Sequence, residues 1–161
     1  MMDLLTKRFG SKSGIAVIDP TMLGVAVDGH VSAPKTEIKR GLAGLTSEKV
    51  LIPVNCHGNH WCSIMMDLTK GEVFIYDSSS SSYITGLRAL AQTMTDLLPE
   101  RAQKGFRSRI YDSGLGIQTD NYNCGIYVLL AFEIFCGAEP LRLVDRRLLQ
   151  CMRYRYLRMC M

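Results

Sequence analysis

The segment Cys124 to Cys136 limits how this chain can fold more than any other, because only Gly125 and Glu133 break an otherwise apolar run. A helix that is hydrophobic all round has no face to offer water, so other layers must enclose it. The run falls short of the ~20 residues a membrane span needs, and it reads as a buried core helix. At 161 residues, 47% hydrophobic and 21% charged, the whole chain has the size of one domain. Met1 to Gly10 carries Asp3, Lys7 and Arg8 instead of the apolar stretch of a signal peptide. The expectation is an intracellular protein, nuclear or cytoplasmic, with no membrane partner.

A sheet is the natural cover for such a helix. Val50 to Val54 and His60 to Met66 are rich in strand formers, and Asp67-Leu68-Thr69-Lys70-Gly71 turns the chain into Glu72 to Tyr76. The serine run Ser78 to Ser82 reads as a loop. Beyond it Ile84, Leu87, Leu90, Ala91, Met94, Leu97 and Leu98 recur at helical spacing until Pro99 stops the pattern. A short strand is expected near Phe106 to Tyr111, then a loop from Gly114 to Asn123. In the first 49 residues only Ile15 to Ile18, as a strand, and Lys35 to Leu45, as a helix, show any signal. Leu141 to Met161 reads as a basic helix or helix pair with its arginines in solvent. It holds six arginines against one aspartate, a charge of +5, so within the chain's net +4 the remainder sums to −1. A nucleic-acid surface on the main body is therefore not expected.

The six cysteines are irregularly placed, several of them inside apolar segments, which argues for reduced thiols. Cys124 differs from the rest. It follows Asp120, Asn121 and Asn123, all good capping residues, and so sits at a predicted helix N-terminus, where unpaired N–H groups favour a thiolate. Gly125 beside it lets a substrate backbone come close. Cys136 and Cys151 read as packing residues. A nucleophilic thiol needs a base, and His60 begins a predicted strand at a sheet end, whereas His30 and His57 fall in solvated loops. In the predicted hairpin Asp77 ends the neighbouring strand and so comes to the same end as His60, where a carboxylate would orient the imidazole. Asp67 lies at the opposite end, as a turn residue. Gln118 offers a side-chain amide to an oxyanion formed near Cys124.

At these residues the sequence resembles the ubiquitin-like-protease family, the sentrin-specific or SUMO cysteine proteases related to the adenovirus protease. His60-Trp61, Asp77-Ser78, Gln118 and Cys124-Gly125-Ile126-Tyr127 follow the family's order and spacing, over roughly His60 to Cys136. Residues 1–49 match only vaguely. Family members usually carry a longer N-terminal region and a second tryptophan, and this chain has Trp61 alone, as a truncated, fragmentary or divergent member would. The resemblance implies an α+β, papain-like cysteine protease fold, its central, mostly antiparallel sheet packed on the Cys124 helix, with residues 1–161 as a single catalytic domain. It further implies that Cys124 attacks the carbonyl after the C-terminal Gly-Gly of SUMO or another ubiquitin-like modifier, in a precursor or a conjugate. His60 would relay the proton, Asp77 orient it, Gln118 hold the oxyanion and Trp61 cover the tunnel for the diglycine. No cofactor and no metal are expected.

Three rivals remain at this point. A related triad serves some acetyltransferases, although no coenzyme site is visible. A degenerate domain could bind a modifier without cleaving it, against which stands the presence of all four candidate residues. Cys56, His57, His60 and Cys62 are zinc-ligand types, but their spacing matches no common zinc pattern.

Overall fold

The structure is a computed structural model and describes Leu5, Phe9 and residues 14–100, 105–142 and 144–161. The reading of residues 1–10 lies outside these apart from Leu5 and Phe9. Among the described residues seven strands form one sheet: β1 (Ile15–Val17), β2 (Val25–Val27), β3 (His30–Val31), β4 (Lys49–Cys56), β5 (His60–Asp67), β6 (Glu72–Tyr76) and β7 (Arg107–Ile110). The helices are α1 (Pro20–Leu23), α2 (Lys35–Ala43), α3 (Tyr83–Asp96), α4 (Cys124–Phe135) and α5 (Arg146–Cys160). The expected three-stranded meander is present: β4 pairs with β5 and β5 with β6, both antiparallel. At the flanks β1 and β2 join β4 in parallel and β7 joins β6 in parallel. The sheet is therefore mixed, within an α+β fold.

Alternation along the meander builds a core on each face. Val50, Ile52 and Val54 of β4, Cys62, Ile64 and Met66 of β5, and Val73 and Ile75 of β6 pack against α2 and α3 through Ile38, Leu42, Leu87, Leu90 and Met94. Leu51, Met65 and Tyr76 point the other way, onto Ile126 to Phe132 of α4. Opposite the sheet, α4 is covered by Leu5, Phe9, and Leu149 and Tyr156 of α5, with Phe9 edge-on to Phe132 at 6.4 Å. The all-apolar helix is thus enclosed on both sides, as its composition requires.

Pro53 sits in a central strand, a place normally closed to proline because the ladder loses a donor. Here it costs nothing. Leu51 faces β1, since its carbonyl accepts from Ile18, and in a pleated strand Pro53 faces the same way. On that side β1 ends its pairing at Leu51 and β2 begins its own at Asn55, so no partner waits for the missing N–H.

Other readings are corrected by the tertiary structure. In the first 49 residues α1, β2 and β3 join the two elements expected there; they are two to four residues long, too short to show a period. His30 lies on β3, although it is exposed as expected. The C-terminal segment forms one helix, capped by Asp145 accepting from the Leu148 N–H at 2.7 Å. Cys151 is exposed on it, not packed, because Leu149 and Tyr156 are the positions that α5 buries. Among the described residues no helix is long and apolar enough to cross a membrane.

Candidate active site

His60 opens β5 and Asp77 follows the last residue of β6, so their antiparallel pairing carries both to one end of the sheet. Asp77 Oδ1 lies 2.7 Å from His60 Nε2, and the aspartate side chain is fully enclosed. The serine run wraps it: Ser79 N–H donates to Oδ1 at 3.0 Å, while Ser81 donates to Oδ2 through its N–H at 2.8 Å and its hydroxyl at 2.5 Å. Burial pushes the Asp77 carboxyl up, but the hydrogen bonds from His60, Ser81 and Ser79 outweigh it and hold it at about 2. The sequence marked this run only as a loop; its second function is to keep a buried carboxylate charged.

Two helices begin beside the imidazole. Tyr83, first residue of α3, stacks on the His60 ring at 5.5 Å and 21°. Cys124, first residue of α4, is the ring's second hydrogen-bond partner. With Nε2 engaged by Asp77, Nδ1 is the nitrogen left for the thiol. The bonds to Asp77 and then Cys124 raise His60 to about 10 against the opposing effect of burial. At Cys124 burial acts upward, yet the His60 hydrogen bond and the backbone N–H groups of Trp61 and Gly125 bring the thiol below its ordinary value. The site thus sets a thiol biased toward its thiolate against an imidazole biased toward its protonated form, chemically a nucleophile with a proton donor beside it. Beside Cys124 runs a cleft of about 320 Å³ lined by Trp61, Tyr122, Gly125, Arg153 and Leu157. Trp61 both lines this cleft and packs on the α4 core.

Gln118 is buried, and its Oε1 accepts from Ser78 Oγ at 2.6 Å, which ties the loop before α4 to the end of β6. Its Nε2 donates to the Asp120 carbonyl at 2.6 Å and to Asp120 Oδ1 at 3.0 Å. The amide is thus held by Asp120 in this structure. Asp120 also accepts from the N–H groups of Tyr122 and Asn123 and from the Asn123 side chain, at 2.8 to 3.0 Å. Asn123 occupies the N-cap position of α4 without a side-chain capping bond; its Oδ1 instead accepts from Arg153 of α5 at 2.7 Å. Sequence reading took Asp120 for a capping residue and the basic-helix arginines for solvent-facing ones. Asp120 is in fact the hub of the loop, and Arg153, thirty residues away, gives no local signal of its inward contact. Replacing Asp120 with Ala leaves the Tyr122 and Asn123 N–H groups and the Asn123 side-chain amide without their carboxylate acceptor, and the buried Gln118 amide with the backbone carbonyl alone. We expect a loss of about 1–3 kcal/mol in urea unfolding, with an unchanged midpoint as the contrary result.

Of the four zinc-ligand types, His57 turns away to Asp28 at 3.6 Å, whereas His60, Cys62 and Asp77 place their ligating atoms within 4.8 Å of one another. Two members of that group, His60 and Asp77, are already bonded to each other.

The model of the Ulp1 protease family's C-terminal catalytic domain matches residues 43–154, most of the chain and every element of this site. The chain belongs to the Ulp1 protease family. It is accordingly a cysteine protease. Among curated proteins none matches it in sequence. Solved Ulp1-family structures share the fold. A Ulp1 SUMO protease whose catalytic cysteine is oxidised to a sulfonic acid superposes with TM-score 0.71 at 18% identity, over 99% of this chain and 72% of the other. The Ulp1 protease domain in complex with Smt3, the yeast orthologue of SUMO, gives 0.69 at 17% identity, over 99% and 72%. The effector XopD of Xanthomonas campestris, bound to ubiquitin, gives 0.56 at 23% identity, over 96% and 84%. The match to known Ulp1 domains thus includes the mixed sheet and flanking helices that position Cys124, His60 and Asp77 in this family member.

Proposed function

We propose that this Ulp1-family protease cleaves the peptide or isopeptide bond after the C-terminal Gly-Gly of SUMO or another ubiquitin-like modifier, inside the cell, with Cys124 as nucleophile. The observation that carries the reading is the single imidazole of His60, bonded to buried Asp77 on one side and to Cys124 at a helix N-terminus on the other. The Cys124 thiolate attacks the glycine carbonyl, and His60 gives its proton to the departing amine, leaving a thioester. Water then attacks the thioester with His60 as base, which frees the modifier and restores the thiol. Asp77 keeps the ring oriented and stabilises its charge through both steps. Gln118 serves the oxyanion by exchanging its bond to Asp120 Oδ1 for one to the substrate. Trp61 and Gly125 line the cleft beside Cys124, where the missing side chain of Gly125 leaves room for a substrate backbone to come close.

The test is intact mass after exposure to SUMO, ubiquitin and related modifiers that carry a C-terminal thiol-reactive group. An adduct with one modifier class that disappears in Cys124→Ser is the expected result. If a small alkylating reagent labels Cys124 rapidly while no modifier reacts, the protease chemistry stands and the modifier specificity is wrong.

A further inference from the structure

Two cysteines that this chemistry does not use lie behind the imidazole. In the β4–β5 ladder Cys56 is directly opposite His60, and Cys62 is opposite Val54. Cys56 and Cys62 are therefore diagonal neighbours on one face, both in the buried core on that side. Their thiols touch: Cys62 donates a hydrogen bond to Cys56. Buried thiols usually serve as small hydrophobes, inert for want of access and of a thiolate. Cys56 has both. It forms part of the wall of an open cavity of about 310 Å³ between the Asp28–Gly29 turn and the start of α3, with His57, Tyr83 and Leu87 around it. The bond from Cys62 brings the Cys56 thiol below its ordinary value despite burial, and the charge on His60 adds to this. The same bond, with burial, pushes Cys62 up. The pair is asymmetric, with a more acidic sulfur facing the cavity and a protonated one behind it.

We infer that Cys56 and Cys62 are a redox-active pair that a hydroperoxide entering this cavity closes into a cross-strand disulfide beside the active-site histidine. The Cys56 thiolate attacks one peroxide oxygen and expels hydroxide, becoming a sulfenic acid. The Cys62 sulfur attacks the Cys56 sulfur and displaces its hydroxyl as a second hydroxide. The protons lost by the two thiols complete two waters. Two thiols and one hydrogen peroxide thus give one disulfide and two waters, with no further reactant. Diagonal neighbours stand about 7–8 Å apart, past the span of a relaxed disulfide, so closing the bond draws the two strands together and strains it, and strained disulfides are the readily reduced ones. The structure therefore points to a reversible modification and not to a structural crosslink.

The experiment treats the full chain with stoichiometric hydrogen peroxide, alkylates the remaining thiols in denaturant, and maps the products without reduction. Chymotryptic cleavage after Trp61 separates the two cysteines. The expected product is lighter by two hydrogen atoms, carries a Cys56–Cys62 linkage, persists in Cys124→Ser, vanishes in Cys56→Ser and reverts with dithiothreitol. Complete alkylation of both Cys56 and Cys62 after the peroxide is consumed overturns the inference, as does a linkage of Cys62 to Cys124. The map of the unmodified sequence decides the matter even if Cys56→Ser does not fold.

Discussion

Cys124→Ser is expected to lower turnover by on the order of 10⁴-fold or more while leaving the unfolding midpoint in urea nearly unchanged. The change replaces one atom at a position 6% exposed, so the packing of α4 hardly notices it. What it removes is acidity. The His60 bond, the N–H groups of Trp61 and Gly125 and the helix N-terminus act on a thiol that starts near 9 and bring it down. A serine hydroxyl starts far higher, and the same groups leave it protonated. Release of a fluorophore from the C-terminus of the modifier that reacts in the adduct experiment measures turnover, and the urea transition checks the fold. Full activity in the purified variant would remove Cys124 from the mechanism.

His60→Ala is expected to be almost as severe, with losses on the order of 10⁴-fold, and it carries a signature that a packing role would not produce. In the parent chain Cys124 is expected to react with iodoacetamide at pH values below the ordinary thiol range, because it titrates together with an imidazole held protonated to about 10. Activity should therefore rise with the formation of the ion pair on the acid side, stay level, and fall as pH approaches about 10. Without His60 the burial of Cys124 dominates, and its alkylation should move to higher pH. An unshifted alkylation profile in His60→Ala would show that the imidazole does not tune the thiol. Stability follows the same groups with opposite signs. His60, raised on folding, contributes fully below about 6.5, and the contribution is lost as pH rises through about 10. Asp77, lowered on folding, contributes above about 3.9, and its contribution is lost as pH falls through about 2. The pair thus supports the fold across the whole interval between.

Much of this architecture is legible along the chain because it is local. The meander from Val50 to Tyr76 shows itself through strand formers and a five-residue turn, and α3 through its spacing and Pro99. The order His60, Asp77, Gln118, Cys124 needs only the hairpin and one helix start to be read as a group. The short strands β2 and β3 escape such reading, since β2 is placed by parallel pairing with β4 some thirty residues away and β3 by antiparallel pairing with β2, and not by any pattern of their own. Ser81 and Arg153 escape it for a related reason: a serine in a serine run and an arginine in a basic helix look solvated until the acceptor each one serves is in place.

The sequence by itself determined the elements of this protein, the family to which it belongs and the residues that meet at the strand ends, because periodicity, turn chemistry and spacing act over a few residues and survive in a linear record. Only the tertiary structure decided the mixed sheet, the engagement of the Gln118 amide by Asp120, the cradle that keeps Asp77 charged, and the contact between Cys56 and Cys62 behind His60. Each depends on which groups share a buried volume and which donors are left over once the sheet has closed, and burial and hydrogen-bond satisfaction are properties of the packed chain.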